Sequence, residues 1–176
     1  MRASDTAELV FQECRLPASQ LLGQEDTGFR DVMRTLTEGR IISAAFALGL
    51  GRAAFDQTLS YAKGRVAFGQ PVGKFQGIQW MLADMALGLE AAKLLAYQAA
   101  WRADQGLSYI TEASMAKLHA TELATRIAND AVQIHGGTGF MMESDIQRFY
   151  RDCKLLEIGE GTSQIQRNTI AHQLGL

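Results

Sequence analysis

Apolar residues along most of the chain recur at the three- and four-residue spacing of amphipathic helices. Glycine, proline and polar clusters divide this pattern, which predicts helices over residues 29–64, 76–105, 109–135, 145–158 and 163–174. Three long amphipathic helices and two shorter ones predict an all-α fold, an antiparallel up-and-down helical bundle.

The apolar stripe of each long helix identifies the side chains expected to face the core. These are Val32, Leu36, Ile41, Ala45, Leu48, Ala53, Phe55 and Leu59 in the first, Ile78, Leu82, Met85, Leu89, Leu94 and Tyr97 in the second, and Met115, Leu118, Leu123, Ile127, Ala131 and Ile134 in the third. Gly39, Gly49 and Gly51 weaken the first helix intrinsically, so we expect close helix contacts or close approach of a ligand there.

The N-terminal segment has a different pattern. Apolar and polar residues alternate roughly over residues 7–16, with Leu9 and Phe11 on one side, and Pro17 ends the run. The alternation predicts a strand, and thus a short N-terminal β extension to the bundle. Because one strand cannot form a stable sheet, it is expected to lie against the helices or to pair with strands outside this chain.

The composition excludes several classes of function. With 47% apolar and 20% charged residues, the chain is typical of a soluble globular protein. The net charge is −2 and no dense block of lysine and arginine occurs, so neither nucleic acid nor a membrane is an expected partner. Cys14 and Cys153 form no CxxC pair, and neither a signal peptide nor a membrane-spanning run is present. We expect a soluble intracellular protein, in the cytoplasm or the mitochondrial matrix.

Metal ligands do not occur at the required spacing. A di-metal site in a helical bundle needs Glu-x-x-His on two helices, whereas this chain offers only the reversed pair His119 and Glu122. No metal site is predicted. The stretch "QIHGGTGF", residues 133–140, follows a helix rather than a strand, so it is neither a dinucleotide fingerprint nor a P-loop. By itself it indicates a helix C-cap, whose free amides could also contact a polar ligand.

One carboxylate, Glu160, stands between two glycines in the stretch "EIGEGTSQIQR", residues 157–167. Thr162 or Ser163 can cap the helix that follows. Taken locally, the stretch indicates an acid placed to suit the helix dipole, and a functional acid is the alternative. Arg65, beside a glycine turn, is likewise either a surface residue at a helix end or a phosphate contact.

Three stretches of the chain occur in a characteristic order: "RVAFGQPVGKFQGIQWMLADM", "QIHGGTGF" and "RFYRDCKLLEIGEGTSQIQRNTIA". Together they resemble the C-terminal half of the acyl-CoA dehydrogenase family. The upstream stretch "LVFQECRLPASQLLGQEDTGF" is similar to the close of that family's middle β-domain. The resemblance implies a tail of the β-domain and a linker over residues 1–28, and a C-terminal helical domain over residues 29–176.

The resemblance also implies an FAD-dependent enzyme that removes two hydrogens, from Cα and Cβ of an acyl-CoA thioester, to form a trans-2-enoyl-CoA. Glu160 would be the base that takes the α-proton, and the β-hydrogen would leave as hydride to the flavin. An electron-transfer flavoprotein would accept the electrons. Because an α-proton beside a thioester is too weak an acid for a carboxylate in water, polarisation of the carbonyl and desolvation of the site must assist.

Family positions that contact cofactor or substrate carry over to named residues of this chain. Cofactor contacts are implied for Arg65, Phe68, Gln76, Gln133, Ile134, His135, Gly136, Gly137, Thr162, Ser163 and Gln164, with Arg65 on the pyrophosphate. Substrate contacts are implied for Thr37, Glu38, Gly39, Arg40 and Gly161. The turn from Gln133 to Gly137 would meet the FAD of a neighbouring subunit, which implies a homo-oligomer, commonly a dimer of dimers.

The chain departs from the family pattern at two positions. Thr37 stands where an acid is frequent, and Gly159 replaces a common tyrosine before the catalytic glutamate, which would open the pocket there. Some relatives carry their base one residue before the arginine of "LTEGR", where this chain has Gly39. Glu38 is one residue away, about 100° around a helix, so the expected base is Glu160.

The length of 176 residues is about half of what the family resemblance implies, so we expect a fragment without the N-terminal helical domain and most of the β-domain. Two other functions stay open. One is a related flavoprotein that oxidises nitroalkanes or amines or responds to DNA alkylation, although DNA binding would need a basic stripe. The other is a non-catalytic helical oligomerisation module.

Overall fold

A computed structural model describes residue 1 and residues 4–176 of the chain. Its five α-helices are α1 (Gly28–Gly64), α2 (Gln76–Asp104), α3 (Ile110–His135), α4 (Asp145–Ile158) and α5 (Ser163–Gln173). The predicted helices are therefore confirmed, each boundary to within one residue, and so is the all-α fold class. Within the described residues, none of the helices combines the length and the apolarity that crossing a membrane would require.

Contacts between helices establish an up-and-down path for the chain. Arg40 lies beside Ser114 near the starts of α1 and α3, and Tyr61 lies beside His135 near their ends, so these two helices run parallel. Between them in the chain, α2 runs in the opposite direction, because the backbone around Gly73, just before α2, packs against the end of α1.

The last two helices close the bundle over α3. Lys117 near the start of α3 contacts Glu157 near the end of α4, so α4 runs antiparallel to α3. Helix α5 then packs against α3, where Arg167 forms an ion pair with Glu122. The connection between α4 and α5 is consequently brought to the end of the bundle at which α1 and α3 begin.

Alanine dominates the core, and the predicted apolar stripes are wrong at several positions. Ala45, Leu94 and Tyr97 are exposed, and Met115 and Leu118 are only half-buried. The fully or almost fully buried positions are mostly small: Ala44, Ala47, Ala54, Ala92, Ala96, Ala99, Ala113, Ala116, Ala120, Ala124, Ala128 and Ala131. Small side chains at a helix contact shorten the distance between helix axes, so the larger apolar residues are left on outer faces.

Two of the three glycines in α1 lie at close contacts, as expected. A Cβ added to Gly51 would lie 3.4 Å from Leu89 Cδ2 and 3.5 Å from the Cα of Ala124, so this glycine sits between α2 and α3. Gly39 faces the α4–α5 connection. At Gly49 an added Cβ would have no neighbour within 4 Å among the described residues, so this glycine marks no close helix contact.

The predicted strand over residues 7–16 is not formed within the described part of the chain. No strand is assigned there, and Leu9 and Phe11 are 78% and 77% exposed. The segment has no partner strand among the described residues, and a lone alternating run cannot satisfy its backbone hydrogen bonds as a strand.

The one sheet in the described part of the chain is an antiparallel hairpin of β1 (Val66–Ala67) and β2 (Gln70–Pro71), after α1. Phe68 and Gly69 form its turn with φ of +52° and +81°, the left-handed geometry of a tight hairpin. Short 3₁₀ turns occupy Ala18–Gln20, Val72–Lys74 and Gly136–Thr138.

Candidate active site

Glu160 lies in the tight connection between α4 and α5 with a left-handed backbone. Its φ is +54°, and that of Gly161 is +91°. A residue with a side chain adopts this conformation rarely, and holding it there costs on the order of 1–3 kcal/mol. A Cβ on Gly161 would also lie only 2.8 Å from Gln166 Nε2. Glycine is therefore required at position 161, whereas Gly159 has an ordinary φ of −64°.

Helix α5 starts directly after this connection. Thr162 is its N-cap, and its Oγ1 accepts a hydrogen bond of 3.3 Å from the backbone amide of Ile165. Of the two capping residues the sequence allows, Thr162 is thus the cap, and Ser163 is the buried first residue of the helix. Glu160 stands two residues before the positive end of the α5 dipole, a favourable place for a carboxylate.

The carboxylate of Glu160 lies directly against α1 at Gly39. A Cβ added to Gly39 would be 2.5 Å from Oε2 and 3.0 Å from Cδ of Glu160, so no other residue fits there without displacing the carboxylate. Glu38 is exposed, with Arg34 of the same helix 3.9 Å away. The structure thus joins two of the predicted site residues, one on α1 and one in the connection.

Arg40 is a buried cation next to this contact. Its side chain is 5% exposed, and Nη1 donates a hydrogen bond of 3.1 Å to Ser114 Oγ on α3. Burial lowers the pKa of Arg40, and the nearby carboxylate of Glu160 acts in the opposite direction. In the described part of the chain Arg40 Nε has no hydrogen-bond partner. The guanidinium is therefore both buried and incompletely paired among the described residues.

A cavity of about 450 Å³ opens beside Arg40, between the N-terminal parts of α1 and α3 and helix α5. Its lining includes Met33, Thr37, Arg40, Tyr109, Ile110 and Thr169. The hydroxyl of Thr37, which replaces the acid frequent in the family, donates to the backbone carbonyl of Met33 at 3.0 Å. Mostly apolar walls with a few polar groups are typical of a small-molecule site.

Two fully buried side chains hold the backbone around Glu160. Lys117 Nζ donates to the carbonyl oxygens of Glu157 at 3.2 Å and Gly161 at 2.7 Å. Gln166 Nε2 donates to the carbonyl oxygens of Glu160 at 3.1 Å and Gly161 at 3.0 Å. The sequence pattern did not single out either residue. A signal did exist for Lys117, since it shares the buried face of α3 with Ala113 and Ala120, at helical spacing.

A second group of predicted residues lies at the opposite end of the bundle, where α1 and α3 end. Arg65, Phe68 and Gln76 follow α1, and Gln133 to Gly137 end α3. Tyr61 ties these turns together: its ring stacks on His135 with centroids 4.1 Å apart, and its hydroxyl donates to the His135 carbonyl at 3.3 Å.

The exposed groups in this second cluster fit a flavin dinucleotide. Phe68 is 95% exposed, and Arg65 forms no ion pair with any described residue, which leaves a flat ring and a free cation for a ligand. Added Cβ atoms at Gly136 and Gly137 would meet nothing within 4 Å, so the turn presents bare backbone. An arginine without an ion-pair partner among the described residues suits a pyrophosphate.

The predicted cofactor residues are therefore not brought together within one chain. Thr162, Ser163 and Gln164 lie with Glu160, whereas the remaining ones lie at the far end of α1. Between Gly39 and the C-terminal residue of α1, about 38 Å of helix intervene, at 1.5 Å per residue. The sequence assigned only the turn from Gln133 to Gly137 to a neighbouring subunit, but Arg65, Phe68 and Gln76 lie at the same end as that turn.

Comparison with known proteins assigns the chain to a family. The family profile described as "Acyl-CoA dehydrogenase, C-terminal domain" matches residues 26–175. The chain belongs to the acyl-CoA dehydrogenase family. It is 50% identical over 174 residues to a Bacillus subtilis protein named "Probable acyl-CoA dehydrogenase YngJ", covering 99% of this chain and 46% of that one. It is 49% identical to the human mitochondrial short-chain specific acyl-CoA dehydrogenase, covering 99% of this chain and 42% of that protein. The chain thus spans less than half the length of these acyl-CoA dehydrogenases.

Solved structures show the same helical domain. Butyryl-CoA dehydrogenase from Megasphaera elsdenii superposes with a TM-score of 0.93 at 42% identity, over 95% of this chain and 44% of the other. A chain in a structure of the electron transferring flavoprotein of Acidaminococcus fermentans superposes with a TM-score of 0.92 at 41% identity, over 94% of this chain and 43% of that one. The structure described as "PigA with FAD and proline" superposes with a TM-score of 0.91 at 32% identity, over 94% of this chain and 43% of the other.

Proposed function

We propose that this chain supplies the proton-abstracting end of an FAD-dependent acyl-CoA dehydrogenase that acts on short-chain acyl-CoA thioesters. The observation that carries the proposal is the carboxylate of Glu160, held against Gly39 beside the buried Arg40. The names of the relatives support a substrate with a short acyl group, since they include short-chain specific and butyryl-CoA enzymes. We further propose that residues 1–28 close a β-domain and that residues 29–176 form the helical domain.

In this proposal Glu160 accepts the α-proton of the thioester on a carboxylate oxygen, and α,β-dehydrogenation yields the trans-2-enoyl-CoA. Among the described residues, the Glu160 amide donates no backbone hydrogen bond, so it is free to polarise the thioester carbonyl as the α-proton leaves. The absence of a side chain at Gly39 leaves room for the Glu160 carboxylate beside α1. When bound, FAD would accept the β-hydrogen as hydride.

The residues that would hold FAD are divided between two copies of the chain. Thr162, Ser163 and Gln164 would meet the cofactor in the subunit that supplies Glu160. Arg65, Phe68, Gln76 and the turn from Gln133 to Gly137 would reach it from a neighbour, with Arg65 on the pyrophosphate. The length of α1 between the two groups supports this division, because one dinucleotide cannot extend along about 38 Å of helix.

An exposed apolar stripe on α2 supports association of the chain with itself. Trp80, Leu87, Leu94 and Trp101 recur every seven residues on this helix, and each is exposed. Seven-residue spacing of large apolar side chains is the pattern by which two helices pack along each other. We propose that this stripe packs against a second copy, as part of a dimer of dimers.

The proposed electron acceptor is an electron-transfer flavoprotein. The support is the superposition on a chain from the structure of the Acidaminococcus fermentans electron transferring flavoprotein.

The test of the activity is anaerobic mixing of the FAD-loaded protein with butyryl-CoA. We expect the flavin absorbance to bleach and crotonyl-CoA, the trans-2-enoyl product, to form, with palmitoyl-CoA reacting more slowly. Absence of bleaching with every acyl-CoA, together with turnover of nitroalkanes or amines, would instead favour a related oxidase. Failure of the longer protein, of which this chain is expected to be a fragment, to bind FAD would favour a non-catalytic oligomerisation module.

A further inference from the structure

Three backbone carbonyl oxygens around Glu160 converge on two side chains that are completely buried. Lys117 and Gln166 are both 0% exposed. Lys117 donates to Glu157 and Gly161, and Gln166 donates to Glu160 and Gly161, so the carbonyl of Gly161 accepts from both. The backbone on either side of Glu160 is thereby tied to α3 and to α5.

A buried lysine is an unusual means of holding a loop. Removing an ammonium group from water is costly unless it is paired with an opposite charge, and Lys117 forms no salt bridge with any described residue. Within the described part of the chain, its hydrogen-bond acceptors are backbone carbonyls alone. The charged groups that act on it are Glu157 of α4, Arg40 of α1, Glu160 and, on its own helix, Glu122.

The conformation that this lysine stabilises is the strained one. Glu160 and Gly161 both have positive φ, and the left-handed geometry at Glu160 persists only where surrounding bonds enforce it. The same geometry directs the carboxylate onto Gly39. A connection released from Lys117 would relax towards ordinary φ values and would carry the carboxylate off α1.

We propose that Lys117 is a positioning residue for the Glu160 carboxylate: it holds the carbonyls of Glu157 and Gly161 so that Glu160 keeps its left-handed backbone. Gln166 is the second anchor of the same connection. The inference rests on the proposed function, in which Glu160 is the base. Lys117 itself touches neither the substrate nor the reacting atoms.

Limited digestion with a glutamate-specific protease tests the anchoring without cofactor or substrate. Both Glu143 and Glu160 are exposed, and only Glu160 lies in the anchored connection. In Lys117→Met we expect cleavage after Glu160 to accelerate at least about tenfold, while cleavage after Glu143 stays within about twofold. Lys117→Gln, which retains two N–H donors without charge, should recover part of the protection.

Two further variants keep the digestion test decisive. Gln166→Met removes the second anchor without touching a charge and should show the same selective cleavage, even if Lys117→Met does not fold. Thr58→Val is the matched control, because Thr58 is also fully buried but donates only to Ala54 within α1, at 2.7 Å. Cleavage after Glu160 that is unchanged in both anchor variants, or equally fast in Thr58→Val, overturns the proposal.

The rate of flavin bleaching by butyryl-CoA then tests the consequence for the base. In Lys117→Met the limiting rate of bleaching should fall on the order of 10²-fold, because a misplaced reacting group slows a reaction by that much. The butyryl-CoA concentration that gives half of this rate should stay within about threefold of the wild-type value. Lys117→Gln should be intermediate. If the flavin of Glu160→Gln bleaches as fast as that of wild type, the proposed function fails. If bleaching is slow in Glu160→Gln but equally fast in Lys117→Met and Thr58→Val, only the positioning role of Lys117 fails.

Discussion

The Glu160 carboxylate lies so close to the α-carbon of Gly39 that a methyl group on Gly39 would sit 2.5 Å from Oε2. This contact joins the first helix to the connection between the last two. The absence of a side chain at position 39 therefore leaves room for the carboxylate against α1.

Gly39→Ala should displace the Glu160 carboxylate and slow flavin bleaching by butyryl-CoA about 10- to 100-fold, because misplacement by about an ångström has effects of that size. Gly49→Ala is the matched control on the same helix. An added Cβ there meets nothing, and alanine favours helix, so this variant should gain about 0.5–1 kcal/mol in stability and keep its rate. Equal rates for the two variants would contradict the role given to the contact.

Mixed oligomers should reveal whether one site draws on two chains. Glu160→Gln removes the proposed base from its own subunit, whereas Arg65→Glu removes a proposed cofactor contact to the neighbouring subunit. Each variant alone should be nearly inactive. Co-expressed in equal amounts, they should recover about one quarter of the wild-type activity, because that share of the sites combines two intact halves.

Differential tags verify that the two variants mix, and each variant must still be folded. If the mixed oligomers then recover no activity, Arg65 and Glu160 belong to the same site of a single chain. That result would contradict the division of the cofactor residues between subunits.

The apolar stripe on α2 should control the oligomeric state. Leu94 is 60% exposed at the centre of the stripe, so Leu94→Lys should place a charge in the proposed contact and lower the mass measured by light scattering. Leu22→Lys is the control, since Leu22 is 96% exposed and lies outside the stripe. An unchanged mass for Leu94→Lys would exclude the stripe as a subunit contact.

Lys117 should make stability depend on pH in an unusual direction. Burial lowers the pKa of Lys117 from 10.5 to about 8, opposed by the carboxylate of Glu157. Between these two values the unfolded chain binds more protons than the folded one, so the free energy of unfolding rises with pH, by about 3 kcal/mol at most. Below pH 8 both states hold the proton and the contribution is constant.

Urea unfolding of wild type and Lys117→Met, from pH 7 to 10.5, measures this effect. The stability of wild type relative to the variant should increase steadily above about pH 8. A difference that stays constant over the range would show that Lys117 ionises in the folded state much as it does in the unfolded chain.

Helix positions could be predicted from the sequence because amphipathic spacing and glycine or proline breaks are local properties. The identity of the core residues could not, since it depends on how closely the helices approach. In α3, Ala116 and Ala120 pack inside while Met115 and Leu118 are only half-buried, although size alone suggests the reverse. The failed strand over residues 7–16 has a similar cause, because a strand needs a partner that local alternation does not provide.

For the site, family resemblance identified Glu160, Gly39 and Arg40, and the structure places them side by side. The resemblance gave no role to Lys117 or Gln166, although Gln166 lies within the stretch "EIGEGTSQIQR", because which backbone carbonyls they bond depends on how α3 and α5 pack. The division of the cofactor residues between two ends of the bundle likewise depends on the length and direction of α1 and α3. Neither the contacts of these two side chains nor this division can be read from the sequence motifs alone.

The decisive measurement for the role of Glu160 is the rate at which butyryl-CoA bleaches the flavin in Glu160→Gln. The amide is nearly isosteric with the carboxylate but cannot accept the α-proton as a base. We predict intact FAD binding and a bleaching rate lowered on the order of 10²- to 10⁴-fold, the usual contribution of a general base. A rate equal to that of wild type would contradict the central claim that Glu160 abstracts the proton.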